Sequence, residues 1–144
     1  MYPDRVLLTN EDAGLSCEPD LTFVAWDSLE TSRVRLVERV TGDDYIELLG
    51  SPDLVAEIVS DSSVRKDTRL LRDAYARAGV REYWLIDARG ENIAFQILVH
   101  RDGAFVGSGE PAAPQSSGVL GGRWQFTRVR GRMGLFVYTL SHTE

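Results

Sequence analysis

Residues 52–87, PDLVAEIVSDSSVRKDTRLLRDAYARAGVREYWLID, decide the fold of this chain. Residues 54–59 are almost entirely apolar, which predicts a strand that is covered on both faces. Residues 67–78 have the apolar spacing of an amphipathic helix, and residues 83–86 form a second strand segment. Because a strand, a helix and a strand in succession make a crossover unit, we predict that the two strands are parallel neighbours in one sheet.

The predicted helix has recognisable ends and a recognisable buried face. Asp67 is a candidate N-cap. Gly79 is a candidate C-terminal stop, since glycine readily adopts the left-handed conformation that ends many helices. Apolar side chains recur at intervals of three and four residues, and we expect four of them to pack on the sheet: Leu70, Leu71, Ala74 and Tyr75.

The rest of the chain predicts further strands and few helices. Short strand candidates lie at residues 5–9, 21–26, 33–37 and 45–48. Residues 107–122 are rich in glycine, serine and proline, as is typical of a loop, and a final hairpin pairs residues 124–129 with residues 135–140. We therefore expect an α/β fold with a mixed sheet, one main crossover helix and a β-rich C-terminal part.

Length and composition fit one globular domain spanning residues 1–144, with 43% hydrophobic residues. No apolar run approaches the roughly 20 residues that a membrane helix needs. No charged-then-apolar leader opens the sequence, so the expected location is the cytoplasm. Cys17 is the only cysteine, which excludes an internal disulfide and a multi-cysteine zinc site.

Acidic residues at the ends of predicted strands are the candidate metal ligands. Glu57 interrupts an apolar strand, where a charge costs several kcal/mol unless it is paired or bound to metal. Asp20 opens the strand candidate at residues 21–26 and would lie beside Glu57 if that strand pairs with residues 54–59. Asp53 is the reserve ligand, because it lies about 13 Å along the strand from Glu57. Asp20, Glu57 and the carbonyl oxygen of Ile58 would form a half-empty shell of the kind that magnesium accepts.

Lys66 is the only lysine of the chain and follows Glu57 by nine residues. Its ammonium would orient the attacking water or stabilise charge on a phosphoryl oxygen, provided that a tight turn brings it close to the acids. The sequence therefore proposes Asp20, Glu57 and Lys66 as the catalytic set, with a divalent cation held by the acids.

The charge distribution qualifies this hypothesis. A net charge of −6 argues against a strong, standalone nucleic-acid binder, since such binding depends mostly on neutralising phosphates. It does not exclude a nuclease, because acids around a metal add negative charge that the metal offsets. The basic residues cluster in residues 65–81 and residues 123–132. A functional role for these clusters competes with a plain structural interpretation, which is a solvated helix face for the first and a charged hairpin for the second.

Several segments agree in order and spacing with a known family: Pro19-Asp20, residues 52–60, Ser62-Ser63, Lys66-Asp67 and residues 75–87. Through them the chain resembles the Uma-type restriction endonucleases of the PD-(D/E)XK nuclease superfamily. The resemblance covers residues 2–100 and is most specific in residues 52–87. It implies a restriction-endonuclease-like core, Mg or Mn as the cofactor, and hydrolysis of phosphodiester bonds in DNA.

Two departures from the family pattern leave an alternative open. The superfamily lysine would stand at Val59, and the displaced lysine of Uma-type proteins would align with Leu71, so Lys66, or else Arg69 or Arg72, has to serve. The chain also begins where family members already carry helices and a strand, which suggests N-terminal truncation. The alternative is a catalytically inactive nuclease-fold remnant that acts as a binding or oligomerisation module, such as a homodimer.

Overall fold

The computed structural model describes residues 6–38 and 45–144. Arg5, the first residue of the expected first strand, lies outside this range. The strands are β1 Leu7–Asn10, β2 Leu15–Cys17, β3 Leu21–Phe23, β4 Val34–Glu38, β5 Tyr45–Gly50, β6 Leu54–Ile58, β7 Glu82–Asp87, β8 Ala94–Arg101, β9 Ala104–Gly107, β10 Gln115–Ser116, β11 Arg123–Arg130 and β12 Phe136–Thr143. The helices are α1 Trp26–Glu30 and α2 Leu71–Arg77, and a π-helical turn, Lys66–Leu70, leads directly into α2.

The central sheet has the strand order β3-β6-β7-β8-β9. Strands β6 and β7 are parallel neighbours, with Leu54 opposite Glu82 and Ile58 opposite Ile86, so the predicted crossover unit is confirmed. The other pairs of this sheet are antiparallel. A second sheet has the order β2-β1-β5-β4, and a third has the order β10-β11-β12. The expected α/β class with a mixed sheet and a β-rich C-terminal part is confirmed.

The two faces of β6 belong to two different cores. Val55 packs with Tyr75 of α2 and Tyr83 of β7, and this cluster extends to the second sheet. Leu54 and Ala56 point the other way, where they pack with Trp84 and aromatic residues of β8 and β11. Both faces are therefore covered, which explains the continuous apolar sequence of this strand.

The helix differs from its prediction at its start and on one face. Helical structure begins at Val64, so Asp67 lies inside the helix and the expected N-cap is wrong. The side chain of Leu70 is 56% exposed, because the wider π-helical turn changes the direction in which it points. Leu71 and Tyr75 are buried as expected. Gly79 has φ +72° and ends the helix, which confirms the predicted stop.

The strand predicted at residues 21–26 is also shorter than expected. It ends at Phe23, and the short helix α1 begins at Trp26, whose side chain is 80% exposed. The Asp53 carboxylate accepts hydrogen bonds from the Ala25 N–H at 2.8 Å and from the Ser28 hydroxyl at 2.9 Å. These bonds satisfy polar groups at the start of α1 and turn the chain away from the sheet.

The final hairpin is confirmed as β11 and β12, paired from Arg123–Thr143 to Arg130–Phe136. All eight residues of β12 are exposed, and the strand forms an edge of its three-stranded sheet.

In residues 6–38 and 45–144, no helix is both long and apolar enough to cross a membrane.

Candidate active site

Two acidic residues lie opposite each other where β3 pairs with β6. Leu21 pairs with Ala56, so Asp20 and Glu57 are the next residues along this antiparallel pair. An oxygen of the Asp20 carboxylate accepts a hydrogen bond from the Ile58 N–H at 2.8 Å. Asp20 is exposed and Glu57 is only 4% exposed, so one acid faces solvent while the other lies beneath the surface. The predicted pairing of the Asp20 strand beside the Glu57 strand is confirmed.

The electrostatic environment of Glu57 disfavours its ionised form. Burial is the largest of the influences that together raise the pKa of Glu57 from 4.5 to about 7, and the nearby carboxylates of Asp20 and Asp67 act in the same direction. The Tyr75 hydroxyl and the Lys66 ammonium act in the opposite direction and lower this pKa. A buried acid whose pKa lies this far from its ordinary value, at the rim of a sheet, is typical of a functional site.

A hydrogen-bond chain fixes the Glu57 side chain. The Tyr75 hydroxyl donates to one Glu57 carboxylate oxygen, Oε1, at 2.6 Å. The Cys17 sulfur lies 3.3 Å from the Tyr75 oxygen, and its thiol can donate there because the tyrosine proton is already used. The Oε1 oxygen of the Glu57 carboxylate is therefore held in place by a buried tyrosine of the core. The sequence indicated Tyr75 only as a packing residue, since its contact with Glu57 depends on how α2 lies on the sheet.

Lys66 lies in the π-helical turn that follows the loop after β6. Its side chain is exposed. Burial raises the pKa values of Glu57 and Cys17, the two groups at either end of the hydrogen-bond chain, and the Lys66 charge is a smaller influence that opposes both increases. Lys66 is therefore near enough to Glu57 to act on its carboxylate electrostatically. Its catalytic role stays a prediction.

Asp53 lies at the opposite end of β6 and is not brought together with Glu57. Its carboxylate is fully buried and bonds the Ala25 N–H, the Ser28 hydroxyl and, at 2.9 Å, the Arg81 guanidinium. With these partners Asp53 ties α1 and the start of β7 to β6. This arrangement suits a structural role better than the reserve ligand role that the sequence suggested.

Asp67 is an acid near the site that the sequence analysis assigned only to helix capping. Its side chain is 2% exposed and accepts a hydrogen bond from the Ser63 hydroxyl, and its main-chain oxygen accepts one from Tyr83 at 2.8 Å. Its charge raises the pKa of Glu57. The Lys66-Asp67 pair in the motif was the available signal, but only the fold shows that Asp67 is turned inward.

The residues at this site fit a divalent cation with few protein ligands. Within the part of the chain that the structure describes, no group of three or more His, Cys, Asp and Glu side chains is arranged to hold a metal. Magnesium commonly binds through one or two carboxylates and completes its shell with water and phosphate oxygens. An adjacent pair of mutually repelling carboxylates, one exposed and one held by Tyr75, suits that chemistry.

The crossover unit, the mixed sheet and the β-rich C-terminal part define the class of this protein as a mixed α/β fold. A protein from Anabaena variabilis ATCC 29413, described as "a putative nuclease belonging to DUF820", has a similar fold, with a TM-score of 0.53 and 20% sequence identity. The similarity covers 78% of this chain and 56% of that one, so this chain spans little more than half the length of that protein.

The sequence model of the Uma2 family, described as "Putative restriction endonuclease", matches residues 3–123. The chain belongs to this family, and the resemblance that the sequence motifs indicated is confirmed. No curated protein matches the chain.

Proposed function

We propose that this protein is a cytoplasmic, Mg- or Mn-dependent endodeoxyribonuclease that hydrolyses phosphodiester bonds in DNA. The observation that carries the proposal is the pairing of buried Glu57 with exposed Asp20 at the end of β6, within the electrostatic range of Lys66. Membership of a family described as restriction endonucleases supports the reaction class.

Each residue of the proposed site has a distinct task. Asp20 and Glu57 would hold the metal, which polarises the scissile phosphate and lowers the pKa of a bound water. Tyr75 keeps one Glu57 oxygen engaged, and the other oxygen would be the one that binds the metal. Lys66, a compact charge on a flexible stem, would neutralise charge that develops on the phosphoryl oxygens. Asp53 stabilises α1 and is not part of this set.

The direct test is incubation of the protein with supercoiled plasmid and manganese. Wild type should convert the plasmid to nicked circles, whereas Asp20→Asn should lose both nicking and the heat of manganese binding in calorimetric titration. A wild type that leaves the plasmid supercoiled at every protein concentration, or nicking that persists undiminished in Asp20→Asn, would refute the proposal.

Lys66→Ala should reduce nicking by about a hundredfold, since a single group that stabilises transition-state charge contributes on this order. Manganese affinity should stay nearly unchanged, because Lys66 is not a proposed ligand. Arg65→Ala is the matched control, as Arg65 is the adjacent exposed cation and has no proposed role. Equal losses in the two variants would show a general charge effect and remove Lys66 from the site.

A second candidate function is a non-catalytic binding or oligomerisation module. Val59 and Leu71, the two positions where a family lysine would stand, are both buried apolar residues of the core. The edge strand β12 is exposed along its whole length and offers a surface for a homodimer. Absence of manganese binding, together with a dimer in analytical ultracentrifugation that Val137→Asp dissociates, would favour this function over the nuclease.

A further inference from the structure

A cleft of about 550 Å³ lies beside the helix, outside the acid pair. One wall is the π-helical turn and α2, and the other is the turn between β8 and β9 with the start of β9. Its lining residues are Thr68, Arg69, Arg72, Asp73, Arg77, Gly103, Ala104 and Phe105. The cleft is open to solvent, so a long ligand can lie across it.

The cleft is positive although the protein is negative. Its lining contains three arginines and one aspartate, a local balance of +2 against −6 for the whole chain. Within the described part of the chain, none of the three guanidinium groups forms an ion pair with a carboxylate. Three cations that line one cleft with a single aspartate leave an excess of positive charge, and an anion in the cleft would offset that excess.

One of the three arginines is already held in place. The Arg72 guanidinium donates to the main-chain oxygen of Phe105 at 2.8 Å, which bridges α2 and β9. Its remaining N–H groups are free to donate elsewhere. A guanidinium ordered in this way loses less conformational entropy when it binds a phosphate in a bidentate manner.

The cleft arginines and Lys66 of the proposed active site belong to one helical segment, formed by the π-helical turn and α2. Lys66 opens the π-helical turn, Arg69 follows one turn later, and Arg77 ends α2. At 1.5 Å per residue, Lys66 and Arg77 are about 16 Å apart along the axis. DNA carries one phosphate per 3.4 Å of axis on each strand, so this distance spans about five nucleotides. A strand that enters at the acid pair can thus reach the arginines.

We propose that the cleft formed by Arg69, Arg72 and Arg77 binds backbone phosphates of DNA several nucleotides from the scissile bond. That the ligand is DNA rests on the proposed function. The position of the site and its preference for phosphate rest on the cleft itself. Phosphate contacts of this kind fix position and orientation without reading sequence. Because the chain as a whole carries a net charge of −6, this local positive cleft would supply attraction that the overall charge does not.

The test measures DNA binding without cleavage. Fluorescence anisotropy of a labelled DNA duplex is followed in EDTA at several salt concentrations for wild type and Arg69→Ala/Arg77→Ala. Loss of two phosphate contacts should lower the slope of log K against log salt by about 1.8. Affinity at low salt should fall by about tenfold or more, as expected for two lost charge-assisted contacts.

Two variants serve as controls. Arg35→Ala/Arg132→Ala removes the same charge from exposed positions outside the cleft and should keep the wild-type slope. Arg69→Lys/Arg77→Lys retains the charge and should restore most of the slope, which separates loss of contact from loss of folding.

The outcomes distinguish this inference from the proposed nuclease activity. A wild type that binds DNA through the cleft but never nicks plasmid leaves the inference standing and refutes the nuclease. Normal binding by Arg69→Ala/Arg77→Ala, equal losses in the control pair, or no wild-type binding at low salt would overturn the inference. Calorimetric titration with inorganic phosphate is a separate measurement. Tight binding of phosphate without binding of DNA would also overturn the inference.

Discussion

Glu57→Gln is expected to abolish manganese-dependent cleavage while making the metal-free protein more stable at pH 8. The expected loss of activity is at least about a hundredfold, because the substitution removes a charged ligand from the proposed metal site. The expected gain in the free energy of unfolding is up to about 3 kcal/mol, from a pKa that rises from 4.5 to about 7 on folding. For a chain of this size, this gain corresponds to an increase in melting temperature of about 10 °C.

The pH dependence follows from which state holds the proton. Between pH 4.5 and about 7, the folded protein keeps a proton on Glu57 that the unfolded chain releases. Stability therefore falls as pH rises through this window, and at pH 8 the buried carboxylate is ionised at its full energetic cost. Glutamine is neutral at every pH, has the same shape and can still accept the Tyr75 hydrogen bond.

Thermal melts of wild type and Glu57→Gln in EDTA, at pH 8 and at pH 4.5, measure this effect. The two proteins should differ at pH 8 and converge at pH 4.5, where Glu57 is neutral. Glu110→Gln, at an exposed position, is the control and should follow wild type at both pH values. Manganese added at pH 8 should stabilise wild type only. A variant that is less stable than wild type at pH 8 would contradict the assigned environment of Glu57.

Glu82→Ala is expected to destabilise the protein by about 3–5 kcal/mol, since it leaves several buried donors without acceptors. The Glu82 carboxylate is almost completely buried and accepts four hydrogen bonds. Its donors are the Trp84 indole at 3.0 Å, the Ser117 hydroxyl at 2.8 Å, and the main-chain N–H groups of Gly118 at 2.5 Å and Val119 at 3.0 Å. The three bonds from Ser117, Gly118 and Val119 attach the loop before β11 to the second strand of the crossover unit.

Urea denaturation of Glu82→Ala measures the loss, with Glu110→Ala as a matched acid on the surface that should change stability by less than about 0.5 kcal/mol. Hydrogen exchange should accelerate first at Gly118 and Val119, whose N–H groups lose their acceptor. A loss below about 1 kcal/mol would mean that water replaces the carboxylate and that this network contributes little to folding.

The local features of the fold could be read from the sequence because they depend on neighbouring residues. An apolar run covered on both faces, a helix ended by Gly79 and a following strand leave few ways to bury their surfaces, and a crossover through the helix makes the two strands parallel neighbours. The final hairpin follows from alternation around a short turn. Residues 54–59 also identified Glu57 as a candidate functional residue, because packing does not account for an acid inside an apolar strand.

The environment of each charged group was decided only by the tertiary structure. Asp53 meets Ser28, 25 residues away, and Glu82 meets Ser117, 35 residues away, so sequence spacing could not identify the hydrogen-bond partners of these acids. The exposure of Leu70 and Trp26, the inward turn of Asp67 and the arginine cleft likewise depend on helix geometry and on how separate elements pack. Periodicity specifies which face of an element is apolar, but the partner of a polar group depends on the residues that packing brings opposite it.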